Sequence, residues 1–145
     1  MSEMLSNCAR ELIETSPKIV QAFRVEMRTG HSSELTIPQF RTLRYVQKNP
    51  ETSLSSVAEF LGLTLPTTSK LVDGLVRQAL IIRKVSSLDR RFVTLLVSPL
   101  GESIVNKSRA ESQKKFEEKL STMSENDLEL ILKSLSLLNQ IFICN

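Results

Sequence analysis

The sequence predicts a mainly α-helical chain with one small β-hairpin placed directly behind a pair of short helices, and with longer helices at both ends. Three observations carry this expectation. Apolar residues recur at helical spacing over most of the chain. Two short apolar-faced segments are separated by a tight turn at Gly62, and between Leu80 and Val97 the pattern changes to β-branched and apolar runs. A chain of 145 residues with 41% hydrophobic and 24% charged residues has globular composition and the length of one domain.

From Ser2 to Arg28, the residues Leu5, Cys8, Leu12, Ile13, Val20, Phe23 and Met27 keep helical spacing, and Pro17 predicts a kink or restart in the middle. A polar loop follows at 29–35. Thr36 then caps a second helix that Pro38 enters and Pro50 ends, with Phe40, Leu43, Tyr45 and Val46 along it. Ser53 caps a short third helix, whose apolar face is Leu54, Val57, Ala58 and Leu61 and which stops at Gly62. A fourth helix from Leu65 buries Leu71, Val72, Leu75 and Val76 and leaves Thr67, Thr68, Ser69, Lys70 and Asp73 on its other side. The two runs Leu80–Val85 and Phe92–Val97, separated by SSLDRR, read as a hairpin with a charged tip. Ser98-Pro99 opens a largely polar helix, because a proline is well placed just inside a capped start. The last helix, from about Glu125 to Cys144, carries the stripe Leu128, Ile131, Leu132, Leu135, Leu138 and Phe142. Its further apolar residues Leu130, Leu137, Ile141 and Ile143 predict a helix needing cover on several sides.

The net charge of +3 is modest, but its placement is informative. Between Thr64 and Thr94 lie Lys70, Arg77, Arg83, Lys84, Arg90 and Arg91 against Asp73 and Asp89, an excess of +4 that exceeds the whole chain's. Two short helices joined by a tight turn, the second exposing small polar residues at its start, have the layout of a helix-turn-helix. Such a helix enters the DNA major groove with its first turn against base edges, where Thr67, Thr68, Ser69 and Lys70 would lie. A hairpin bearing Arg90 and Arg91 immediately behind it acts as a wing suited to a minor groove, with Arg83 and Lys84 along its stem. The predicted fold is therefore a winged helix-turn-helix, with the lobe at 36–98 and the segments 1–35 and 99–145 as dimerisation helices.

These segments resemble the MarR family of transcriptional regulators. LTIPQFRTLRYV is similar to the family's second helix, and SLSSVAEFLGLTLPTTSKLVDGLV to its helix-turn-helix. SLDRRFVTLLVSPLG resembles its wing signature of Asp, any residue, Arg, a strand and a capped helix with Gly. The resemblance implies that Arg91 reaches the minor groove, that Asp89 positions it, and that Arg90 contacts the DNA backbone. Ser98 stands where the family usually has threonine. Gly74 replaces a long polar or basic residue inside the fourth helix, at about 1 kcal/mol of helix propensity relative to alanine. Ala79 replaces the usual glycine at that helix's end, which predicts a different local construction.

The resemblance further implies a repressor that binds a pseudo-palindromic operator as a homodimer and is relieved by a small-molecule effector, with Arg24, His31 and Tyr45 as candidate effector ligands. Two other readings stay open: a winged-helix module for protein interaction without DNA, and a thiol-based redox sensor using Cys8. An enzyme is not expected. The chain has one histidine, four glycines, no phosphate-cradling loop and no cluster of His or Cys with metal-ligand spacing, so neither cofactor nor metal is expected. Cys8 and Cys144 stand at opposite ends without disulfide spacing. No apolar run reaches the roughly 20 residues of a membrane span, and the N-terminus carries acids where a signal peptide carries bases, so the expected location is the cytoplasm.

Overall fold

Each helix after the first begins at a side-chain hydroxyl that accepts a backbone N–H otherwise lacking a partner. The computed structural model describes residues 1–29 and 35–142. Within them run α1 (Ser2–Thr29), α2 (Ile37–Lys48), α3 (Leu54–Leu61), α4 (Leu65–Arg77), β1 (Ile81–Val85), β2 (Val93–Val97), α5 (Pro99–Leu120) and α6 (Glu125–Ile141). The caps are Thr36, Ser53, Thr64, Ser98 and Ser124. At α2 the cap is reciprocal: Gln39 N–H donates to the Thr36 hydroxyl while Thr36 N–H donates to Gln39 Oε1, at 3.3 and 2.9 Å. Gly62 closes α3 in the left-handed region at φ 68°.

Pro17 does not restart α1, which runs unbroken through it. Residues 13–21 are all exposed, so the carbonyl that the proline leaves without a helical donor has water to bond, and the missing hydrogen bond costs little. The core lies in the middle of the chain. Leu43 and Val46 of α2, Val57 of α3, Val72 and Leu75 of α4, Ile81 and Leu95 of the strands and Val105 of α5 are all buried together. The last turns of α1 join them through Met27 and through Phe23, whose ring meets Phe40 at 5.6 Å between centroids and 57° between planes. Polar as it reads, α5 still packs: Gly101, Val105, Ser108 and Ser112 form a buried stripe of small side chains that admits its neighbours closely.

The strands pair antiparallel from Ile81 with Val97 to Val85 with Val93. A bridge unannounced by sequence pattern joins Thr52 to Leu95, whose N–H donates to the Thr52 carbonyl at 2.8 Å and ties the hairpin to the start of α3. The stem is held further by two ion pairs, Arg83 with Asp73 of α4 and Lys84 with Glu51 at 3.5 Å.

The end of α4 corrects an expectation. Ala79 adopts the left-handed conformation at φ 59°, Leu80 N–H donates to the Leu75 carbonyl, and Ala79 N–H donates to the Val76 carbonyl, both at 2.9 Å. This is the double-bonded helix end usually built on glycine, here formed by alanine because Leu80 is anchored in the core on its far side. Left-handed backbone costs an L-residue about 1–2 kcal/mol, partly offset by alanine's smaller loss of freedom on folding, about 0.4–1 kcal/mol. Ala79→Gly is therefore expected to raise stability by about 0.5 kcal/mol, checked by denaturant unfolding.

No residue of α6 is buried. Leu128, Ile131 and Leu138 are half-covered, while Leu130, Leu132, Leu135, Leu137 and Ile141 are exposed. The same holds on α1, where Met4, Leu5, Ile13 and Ile19 face solvent. No helix of the described residues is long and apolar enough to cross a membrane.

Candidate nucleic-acid interface

The start of α4 presents Pro66, Thr67 and Lys70 to solvent, with Ser69 half-covered. Thr67 is fixed by the cap: its N–H donates to Thr64 Oγ1 at 3.3 Å and its hydroxyl accepts from the Thr64 hydroxyl at 3.0 Å. Thr68 is not on this face. It is fully buried (0%), with its hydroxyl donating to the Thr64 carbonyl at 2.8 Å, and it shares the core side of the helix with Val72 and Leu75 at spacings of four and three. It is a packing residue and not part of the exposed face that the sequence pattern predicts for it.

Arg77 is a further exposed cation of α4, absent from the site residues that the motifs indicate. It is exposed one turn beyond Gly74 and two beyond Lys70, and the signal was helical spacing. Gly74 itself is open: a methyl group there would meet only an Arg77 guanidinium nitrogen, at 3.9 Å. Gly74→Ala is expected to raise stability by about 1 kcal/mol, since helix propensity improves with no clash. A thermal melt showing no gain would refute that.

At the wing tip Asp89 organises Arg91 through both backbone and side chain. Arg91 N–H donates to Asp89 Oδ1 at 3.0 Å, and its guanidinium donates to both carboxylate oxygens, the shortest contact being 2.7 Å. These bonds hold the Asp89 carboxyl below its usual range and raise Arg91. A depressed carboxylate keeps its charge as pH falls through the ordinary range, so the pair survives mild acid. Arg91 nonetheless remains 84% exposed, and it lies over the Phe92 ring at 5.9 Å. Arg90 is exposed beside it. The structure thus brings Thr67, Lys70, Arg83, Lys84, Asp89, Arg90 and Arg91 onto α4 and the wing that packs on it, with Arg83 and Lys84 engaged in the stem pairs.

The effector candidates separate. Arg24 lines a cavity of about 700 Å³ between α1 and α2, together with Arg41, Met27, Leu35, Thr36 and Ile37. Tyr45 is not among its lining residues. The Tyr45 ring stacks on Phe60 of α3 at 4.5 Å and 19°, and Arg41 lies over the other ring of that stack at 5.1 Å, so Tyr45 is a packing residue. His31 and Cys144 lie outside the described residues. Cys8 is exposed on α1, and the nearest cation in sequence, Arg10, is paired with Glu11 at 3.6 Å.

A short helix, a glycine-closed turn, a second helix with a polar leading edge and a basic hairpin packed against it define a winged helix-turn-helix protein. Residues 33–91 match the model of the MarR family. Among curated proteins, the chain is 23% identical over 107 residues to the uncharacterized HTH-type transcriptional regulator YfiV of Bacillus subtilis (strain 168), covering 74% of this chain and 67% of that protein. Among solved structures it superposes on a MarR family protein from Bacillus stearothermophilus with a TM-score of 0.82, 19% identity and 99% coverage of both chains. Streptococcus pneumoniae FabT in complex with DNA gives a TM-score of 0.72 at 24% identity, covering 94% of this chain and 96% of that one.

Proposed function

We propose that the protein is a sequence-specific DNA-binding transcriptional regulator that acts as a homodimer on a pseudo-palindromic operator. The observation that carries this reading is the wing tip, where a carboxylate spends its hydrogen bonds orienting a guanidinium that pairs with no other acid among the described residues and that stays exposed. An arginine so held suits the narrow, strongly negative minor groove, while Thr67, Lys70 and Arg77 face the adjacent major groove. The likeness in fold to a protein solved in complex with DNA supports a nucleic-acid partner. The exposed basic groups along α4 and the wing weigh against a winged module that serves only protein contacts.

One such lobe reads a half-site, and two related by a two-fold axis read a site with centres about 34–36 Å apart. The apolar sides of α6 and of the N-terminal half of α1 supply a surface for that pairing. Sedimentation at micromolar concentration is expected to give a dimer, and a monomer would overturn this part. The cavity carrying Arg24 and Arg41 suits a small effector whose binding relieves repression by altering the spacing of the two lobes. Cytoplasmic action without cofactor or catalysis completes the reading. Selection of binding sites from random duplexes tests the whole: a palindromic consensus with that spacing is expected, and enrichment of no sequence would refute it.

A further inference from the structure

We propose that Leu88 is an apolar wedge that enters the minor groove beside Arg91 and partly unstacks a flexible pyrimidine–purine step; the proposal rests on the DNA-binding reading above. Leu88 stands at the tip of the wing and is 97% exposed, with no cover from its own chain. Tips of this kind are usually built from Gly, Asn, Asp or Ser, so a branched aliphatic side chain there is out of keeping with a purely local role.

The loop that carries it is preset. Leu88 and Asp89 N–H groups donate to Ser86 Oγ at 3.2 and 3.4 Å, Phe92 N–H donates to the Asp89 carbonyl at 3.1 Å, and Ser86 N–H donates to the Phe92 carbonyl at 2.8 Å. With Arg91 N–H on Asp89 as well, five amides of the loop are committed internally, and Leu88 is held three residues from the oriented guanidinium. Rigid support is what a wedge requires, since the cost of parting two bases must not also be spent on ordering the loop.

Charge selects the occupant. Arg90 and Arg91 follow Leu88 at the tip, and Arg83 and Lys84 stand behind it in the stem, paired with Asp73 and Glu51. An apolar protein groove, or a second copy of the same wing, would have to take up those cations with the leucine, whereas a nucleic-acid groove complements both. The minor groove is about 6 Å wide, enough for one aliphatic side chain between its walls. Pyrimidine–purine steps open at least cost, so the wedge adds sequence preference at a position without a base hydrogen bond.

The test uses the full chain, the operator from site selection, and a fluorescent adenine analogue placed at the step the wing reaches. Wild type is expected to raise the analogue's fluorescence on binding. Leu88→Ala is expected to abolish that rise and to weaken operator binding roughly tenfold, with the salt dependence of the affinity unchanged because no phosphate contact is lost. Leu88→Met, still long and apolar, is expected to retain both. The residue is exposed, so unchanged thermal unfolding of both variants is the check that folding is not at issue. The wedge is refuted if Leu88→Ala binds and unstacks as wild type does, or if the substitution changes self-association without DNA while leaving operator binding intact. If wild type prefers no duplex over another, the DNA-binding reading fails and this proposal fails with it, whereas loss of binding in Arg91→Ala beside a silent Leu88→Ala sinks the wedge alone.

Discussion

Gly101→Ala is expected to destabilise the protein by about 3 kcal/mol, the upper end of the usual range for an added methyl group. A Cβ at that position would lie 2.3 Å from the Leu80 carbonyl oxygen and 2.8 Å from Val97 Cγ1. The first of these is backbone, and it is already engaged: the Leu80 carbonyl accepts Ser98 N–H at 3.0 Å. Nearby, the Ser98 hydroxyl donates to the Ala79 carbonyl at 2.6 Å and accepts Gly101 N–H at 2.9 Å. The end of α4, the close of the hairpin and the first turn of α5 thus meet on a few atoms with no slack. Better helix propensity returns about 1 kcal/mol, far less than the overlap costs. A fall in melting temperature on the order of 10 °C is the readout. A variant that melts like wild type would show that the joint can open without harm.

Arg91→Ala is expected to weaken operator binding roughly ten- to a hundredfold while leaving unfolding unchanged, since the side chain projects into solvent and packs on nothing in the core. Asp89→Ala is expected to lose affinity too, although it removes an acidic group from a surface that meets phosphate, because Arg91 then loses its bidentate anchor. The double variant should lose little more than Arg91→Ala alone, as befits two residues acting as one unit. Titration of labelled operator at fixed salt measures all three. Equal affinity of Arg91→Ala and wild type would remove the wing from the interface.

Much of this was legible in sequence because caps and patterns are local. Thr36, Ser53 and Ser98 each stand before an apolar-periodic run, and hydroxyl capping has a short-range cause. The wing was legible because Asp89 and Arg91 sit two residues apart on a tight loop, within reach of each other whatever the rest of the chain does. Thr68 is misleading in sequence because a hydroxyl reads as polar whichever side of a helix it occupies. A threonine bonded back to the preceding turn is apolar to its neighbours, and its spacing from Val72 and Leu75 already put it on the core side. The place of Tyr45 is not legible for the complementary reason, since its partner Phe60 lies on another helix and ring stacking leaves no trace in one segment's periodicity. The bridge from Thr52 to Leu95 and the pairs at Arg83 and Lys84 are likewise long-range in sequence. Pro17 shows the limit of a strong local rule, because a proline on a fully exposed stretch removes one bond that water replaces.

The bare last helix has a thermodynamic consequence. A segment of 17 residues with none of its side chains buried within its own chain is near the margin for an isolated helix in water. If a second copy provides its cover, folding of the C-terminal region is a bimolecular event, and the apparent stability of the protein rises with its concentration. Dilution would then fray α6 as it parts the subunits. The amount of regulator in a cell would set how much of it is fully folded as well as how much is paired, and occupancy of the operator would climb more steeply than in proportion to the number of chains made.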